Sequence, residues 1–241
     1  MEDTYREAPP SSGQRRASAG LVRQHAVHQA LGPATASVMR HEGLTHGMRV
    51  ADIGCGVGLV TLELAQSVGE AGLVVGIDSD ETQLDQGRQL AARSRVRNVW
   101  FDTGSAEDSG LPRSSFDLVF CRGALGRSVR PAGALAELVA LLAPGGVLVC
   151  EELENAPDGP VMLPGGRVPN RPDASRRGAA ATVSTGFGAS LPGEMRARGL
   201  LRIGVSFCRP VSERQSATLA GGILPSGLAL WQVWGRKPSE P

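Results

Sequence analysis

The sequence predicts an α/β fold built on a mostly parallel sheet, and three observations predict it. An apolar run ending in an acid and an isoleucine, Val50-Ala-Asp-Ile53, passes at once into Gly54-Cys-Gly-Val-Gly58 and then into Leu59-Val-Thr-Leu-Glu-Leu-Ala65, the order strand, tight turn, helix. Short apolar runs then alternate with helical patterns as far as Glu151, as stacked β-α units require. The 241 residues suffice for one sizeable domain.

Taken in order, residues 1–19 are rich in Pro, Ser, Gly and Arg and are expected to lack fixed structure. Residues 20–241 form a single domain. Its first part, 20–46, carries Leu21, Val22, Val27, Leu31, Val38, Met39 and Leu44 at spacings that predict two short helices, broken around Gly32-Pro33 and lying as a lid across a crevice. The core, 47–152, holds five strands: 49–53, Gly72–Asp78, Asn98–Asp102, Ser115–Cys121 and Val147–Glu151. Between them stand a surface helix over Glu81–Arg93, with Leu84, Leu90 and Ala91 inward, and a helix over Ala132–Ala143 closed by Pro144-Gly-Gly146. Residues 153–190 shift to Gly, Pro, Ala, Ser and Arg, including Arg167, Arg171, Arg176 and Arg177, and read as a substrate-cover insert. The remainder, 191–241, gives a helix over Leu191–Arg198 with Pro192 in its first turn, and strands Leu200–Phe207 and Leu228–Gly235 as an antiparallel pair. Trp231 and Trp234 fall on opposite faces of the last strand as packing residues.

Composition narrows the function. A net charge of +1 with no basic block, and few scattered aromatics, disfavour a nucleic-acid partner. No apolar run reaches the ~18 residues of a membrane span and the start lacks a signal-peptide core, so a cytoplasmic protein without a membrane partner is expected. Cys55, Cys121, Cys150 and Cys208 are widely spaced and read as reduced core residues. His25 and His28 could share a helix face, but no third ligand accompanies them, so no metal site is expected.

The chemistry concentrates at the glycine turn. Glycines at alternate positions let a ligand approach the backbone, and the helix that follows aims unpaired N–H groups at it. Asp78, closing the second strand, is placed to accept hydrogen bonds from two ribose hydroxyls. A ribose-bearing cofactor is implied. The dinucleotide fingerprint G-x-G-x-x-G is not met, because Leu59 stands at its third glycine.

Asp52 followed by G-x-G-x-G instead resembles motif I of the class I methyltransferases that use S-adenosyl-L-methionine (SAM). The resemblance covers roughly Leu44 to Glu152 and includes Phe116-Asp-Leu-Val119 and the helix, Pro-Gly-Gly and strand of 132–151. It implies a three-layer Rossmann-like fold whose seven-stranded, mostly parallel sheet has an antiparallel C-terminal strand. It also implies that Asp52, Gly54, Cys55, Gly56 and Gly58 hold the amino-acid end of SAM, and Asp78 and Ser79 its ribose. The segment Thr103–Pro112 is similar to the family's adenine loop, G-D-A-E-x-L-P, through Gly104, Ser105, Ala106 and Glu107, with Ser105 in place of the usual acid. Cys121 and Arg122 would border both SAM and substrate. Related small-molecule enzymes read R-x-x-L-x-H where this chain has Arg122-Gly-Ala-Leu-Gly-Arg127. With that histidine gone, His25, His28 and Arg127 are the candidates for catalytic duty, if a base is used at all.

The implied function is methyl transfer from SAM to a small molecule, in the manner of ubiquinone/menaquinone-type and natural-product methyltransferases of secondary metabolism, by a monomer or homodimer. Alternatives are a protein that binds SAM without turnover or for another reaction such as a cyclisation, a nucleic-acid or protein methyltransferase, and a nicotinamide-dependent oxidoreductase.

Overall fold

The computed structural model describes residues 12–155, 187–208 and 228–240. Strands β1 (Arg49–Ile53), β2 (Leu73–Asp78), β3 (Val99–Thr103), β4 (Phe116–Arg122), β5 (Leu142–Asn155), β6 (Leu201–Cys208) and β7 (Leu228–Arg236) form one sheet in the order β3-β2-β1-β4-β5-β7-β6. The first five pair in parallel, and β7 runs antiparallel to both β5 and β6. This is the three-layer, mostly parallel arrangement expected.

Alternation of side chains along each strand sorts the helices to two faces. Leu118, Phe120, Val147 and Val149 pack with Val38 and Met39 of α1 (Ser12–His41) and Leu64 and Ala65 of α2 (Leu59–Val68). Phe101 packs with Leu84 and Ala91 of α3 (Glu81–Arg93). On the opposite face Val119, Cys121, Leu148 and Cys150 meet Leu135 and Leu138 of α4 (Pro131–Leu141) and Leu191 and Met195 of α5 (Phe187–Ala197). Strand order reverses between β1 and β4, which opens a crevice at the carboxyl ends of the strands, on the α1–α2 side.

Four local expectations are corrected. The lid is one 30-residue helix, beginning inside the stretch expected to lack structure and running through Pro33. Proline removes one helical N–H, but Ala26 and Leu31 before it are buried, and Thr35, Val38 and Met39 after it are buried against the sheet. The Thr35 hydroxyl oxygen also lies 3.2 Å from the Leu31 carbonyl. Second, α4 ends at Leu141 rather than Ala143, because Leu142 already pairs with Phe116, and Pro144-Gly-Gly146 falls within β5 across a register shift. Third, α5 starts at Phe187, so Pro192 sits inside it rather than in its first turn. The early start rests on Gly188: its N–H donates to Glu154 at 2.7 Å, and a Cβ there would lie 2.5 Å from the Trp231 ring. Fourth, β5 runs four residues past Glu151, to Asn155, so the first residues of the stretch expected as a cover insert belong to the strand. Arg167, Arg171, Arg176 and Arg177 lie outside the described residues. Trp231 and Trp234 do face opposite ways, Trp231 edge-on to Phe207 and Trp234 edge-on to His41. No helix among the described residues is long and apolar enough to cross a membrane.

Candidate active site

The turn after β1 is held from below by backbone, with Gly54 and Cys55 N–H groups both donating to the Ile77 carbonyl at 2.7 and 3.0 Å. Its glycines serve different ends. Gly58, at φ +76°, caps α2, and a Cβ there would strike the Phe101 ring at 2.6 Å. At Gly54 an added Cβ would lie 2.6 Å from Ala124 Cβ, at the end of β4. Only Gly56 opens upward: a Cβ there would meet the Gln24 and Gln83 amide oxygens at 2.8 and 3.1 Å.

Asp78 stands beside this opening. One of its oxygens accepts the Gly56 N–H at 2.8 Å and the other the Asp80 N–H at 3.0 Å, and each oxygen keeps acceptor capacity for a ligand hydroxyl. Ser79 is exposed next to it. Asp80 caps α3 by accepting from Thr82 and Gln83 N–H, which holds its carboxyl below the usual carboxylate range, the Gln83 side-chain hydrogen bond leading.

Asp52 and Cys55 lie under the turn. Asp52 is 2% exposed and accepts the Thr61 hydroxyl of α2 at 2.6 Å; burial pushes its carboxyl up to about 6, against the downward pull of Thr61 and Arg122. It thereby ties the turn to the helix. Cys55 Sγ would lie 3.0 Å from a Cβ on Gly76, and burial raises its thiol well above the ordinary range, so it is a filler and not a nucleophile.

The adenine-loop residues split. Ser105 Oγ accepts the Asp108 N–H at 3.1 Å and its N–H donates to the Asp108 carbonyl, so the hydroxyl's acceptor side already serves its own loop. Ala106 is half-buried beside the α4 side of the core. Glu107 accepts the Ser128 hydroxyl, which holds its carboxyl low. Cys121 is corrected: fully buried on the α4–α5 face, with burial raising its thiol, it belongs to the core and not to the crevice wall.

Arg122 does reach the crevice side, within a network the sequence did not announce. Its Nε donates to Glu151 Oε2 at 2.8 Å, its Nη2 lies 2.9 Å from Thr35 Oγ1, and its guanidinium stacks over Phe120. Glu151, wholly buried, also takes hydrogen bonds from Thr35 at 3.0 Å and Gln232 at 2.7 Å. Next along β5, on the opposite face, burial pushes Glu152 up to about 7; the Gly126 N–H and the Arg127 charge pull the other way. Glu154 accepts from Gly188 N–H and Trp231 Nε1.

One face of α1 spans both regions. Gln24 Oε1 accepts the Val57 N–H at 3.3 Å and its Nε2 donates to Gln83 Oε1 at 2.5 Å, over the glycine turn. His28 follows one helical turn later and Thr35 two further turns on. His28 Nε2 lies 3.0 Å from Glu63 Oε1, whereas His25 is exposed. Arg127, the remaining candidate, is exposed at the end of a 3-10 turn. Gln24, Gln83, Thr35 and Glu151 escaped sequence reasoning; the spacing 24, 28, 31, 35 on α1 was the available signal. Among the described residues no three His, Cys, Asp or Glu side chains converge as metal ligands.

With this geometry in hand, residues 44–164, half of the chain, match the family model of a methyltransferase domain. The chain belongs to the class I SAM-dependent methyltransferases. This family member is 36% identical over 115 residues to a demethylmenaquinone methyltransferase of Staphylococcus aureus, covering 48% of this chain and 47% of that one. It thus spans about half the length of the curated relatives it matches. Its fold is shared with a SAM-dependent methyltransferase of Aquifex aeolicus (TM-score 0.55, 18% identity, 83% of this chain and 88% of that one). It is also shared with the [4+2]-cyclase SpnF (TM-score 0.61, 18% identity, 97% and 86%).

S-adenosyl-L-methionine is the cofactor this family brings to the site, and the methyltransferase's own residues fit it. Around Gly56 stand two carboxamides and a carboxylate, with the Gly56 N–H held by Asp78 and the Val57 N–H by Gln24, a donor and acceptor set of the kind an amino acid joined to a ribose requires.

Proposed function

We propose that this protein transfers a methyl group from SAM to a small-molecule acceptor. The observation that carries the reading is the single face of α1 that bridges the glycine turn, through Gln24, and the carboxyl ends of β4 and β5, through Thr35. Cofactor and acceptor would share one water-poor crevice beneath one helix. When bound, SAM supplies a methyl already activated by its sulfonium, so the protein's tasks are alignment and exclusion of water. Asp78 and Gly56 would hold the ribose and amino-acid ends. Gln24 would exchange its hold on the Val57 N–H for the ligand's carboxylate. Arg122, pinned by Glu151 and Thr35, supplies a fixed cation at the far end, suited to an acceptor that develops or carries negative charge. The S. aureus relative is named for a quinone, demethylmenaquinone, and a reduced quinone ring is an acceptor of that character.

The test is a thermal shift with SAM and with NADH, followed by transfer of a labelled methyl to a panel of small phenols, quinols and amines. Stabilisation by SAM with label in an acceptor is the expected result. SAM binding without transfer to any acceptor would favour the non-methylating alternative, and stabilisation by NADH alone would overturn the reading.

A further inference from the structure

The buried ring nitrogen of His28 is the one feature at this crevice that binding of the cofactor's two ends leaves unexplained. Its Nδ1 is buried and has no hydrogen-bond partner among the described residues, while Nε2 faces the Glu63 carboxylate of α2 at 3.0 Å. A carboxylate at that distance selects the tautomer with the proton on Nε2, and leaves Nδ1 as an acceptor lone pair. Buried polar atoms are almost always paired, so an unpaired one in a ligand crevice points to a ligand that completes it. The ring sits on the face of α1 between the Gln24 contact with the glycine turn and the Thr35 contact with Arg122 and Glu151. A half-buried imidazole with one nitrogen shielded and the other oriented by a carboxylate is an arrangement that makes histidine an effective base.

We infer that His28, held by Glu63, is the base that takes the acceptor's proton during methyl transfer, replacing the histidine absent where Arg127 stands. This rests on the methyltransferase reading above. The acceptor's O–H or N–H heteroatom uses a lone pair to form its bond to the methyl carbon as the carbon–sulfur bond breaks, its electron pair remaining on sulfur. The heteroatom's proton passes to Nδ1. The resulting imidazolium shares its Nε2 proton with Glu63 and returns the extra proton to water. Glu63 is half-exposed at 51%, against 18% for His28, so the dyad reaches solvent at its carboxylate end. The charged groups facing the ring are Glu63 from α2, Arg122 from β4 and His25 from α1 itself. Burial leads the effects that hold the imidazole below its ordinary 6.5, with Arg122 and His25 adding to it and Glu63 opposing, so the ring is neutral and ready at pH 7.

The test combines a spectroscopic and a kinetic arm on the full chain. Long-range ¹H–¹⁵N NMR should show His28 as the Nε2–H tautomer at pH 7, titrating below the ordinary histidine range, with the midpoint falling further in Glu63→Gln. An Nδ1–H tautomer, or an imidazolium at pH 7, would overturn the proposal without any acceptor being known. His28→Ala and His28→Gln should bind SAM with unchanged affinity by calorimetry yet lose ~100-fold or more in kcat. The acidic limb of the kcat profile should disappear, and imidazole should restore part of the rate to His28→Ala. Wild-type rate and pH profile in both variants would sink the base assignment while leaving methyl transfer intact. Failure of the wild-type protein to methylate anything would instead remove the reading on which it rests, so the two failures are told apart.

Discussion

The two ends of the crevice are built by different means. The glycine turn is built of backbone: Gly56, the Val57 N–H and the start of α2, with Asp78 only 22 residues away in sequence. The region at the carboxyl ends of β4 and β5 is built of side chains: Arg122, Glu151, Thr35 and Gln232, drawn from partners up to 116 residues apart. A backbone site costs little to hold open because its groups are fixed by local hydrogen bonds. A site made of buried charge persists only while every member is paired.

Breaking that second region should therefore have the largest effect. Glu151→Ala strands Arg122, whose side chain is 12% exposed, and leaves Thr35 and Gln232 without their shared acceptor. Denaturant unfolding should report a loss of about 3–5 kcal/mol. A loss under 1 kcal/mol would mean the pair is not holding the lid helix.

The pH dependence of stability follows next. Asp52 and Glu152 are raised to about 6 and about 7 from 3.8 and 4.5 in the unfolded chain, so the folded state binds more protons between those values. Stability contributed by their neutral forms is complete below about pH 4 and declines as pH rises to 7, by at most about 3 kcal/mol for each group. Glu152→Gln should flatten the upper part of that decline in unfolding curves recorded from pH 5 to 8. An unaltered slope would show that Glu152 carries no raised proton affinity.

Within the first region, Gly58→Ala and Asp78→Ala sharpen the division between scaffold and ligand contact. Gly58→Ala forces an alanine to φ +76° against Phe101 and should cost about 1–3 kcal/mol of folding stability. Asp78→Ala should cost folding about 1 kcal/mol through the two backbone hydrogen bonds it accepts and weaken SAM binding by a further ~1–3 kcal/mol in calorimetry. Reversal of those two readouts would contradict the roles given to the turn. The smallest effect belongs to Asp80→Ala, about 1 kcal/mol of stability from the lost cap of α3, seen as a modest drop in Tm.

The same division explains what could be read before the fold was known. Asp52, Gly56 and Asp78 were legible because strand, turn and helix follow one another within a few residues, and local geometry dictates their order. The hold of Thr61 on Asp52 was not legible, since nothing local shows that the helix turns that hydroxyl back onto the acid. Cys121 was misplaced for a related reason: strand alternation says only that it faces opposite to Arg122, and the packing of α4 and α5 determines which of those faces is core. The continuity of α1 through Pro33 was likewise invisible, because proline's local penalty is visible in sequence and the sheet surface that outweighs it is not.

By itself the sequence determined the α/β class, the parallel core, the glycine turn and the acid beside it, all features set by propensity and by contacts within one β-α unit. The tertiary structure alone decided which histidine is buried against a carboxylate, which arginine is locked, and that a single helix face joins the two ends of the crevice. Those depend on long-range packing, in which residues without local signature acquire partners only once the sheet has assembled.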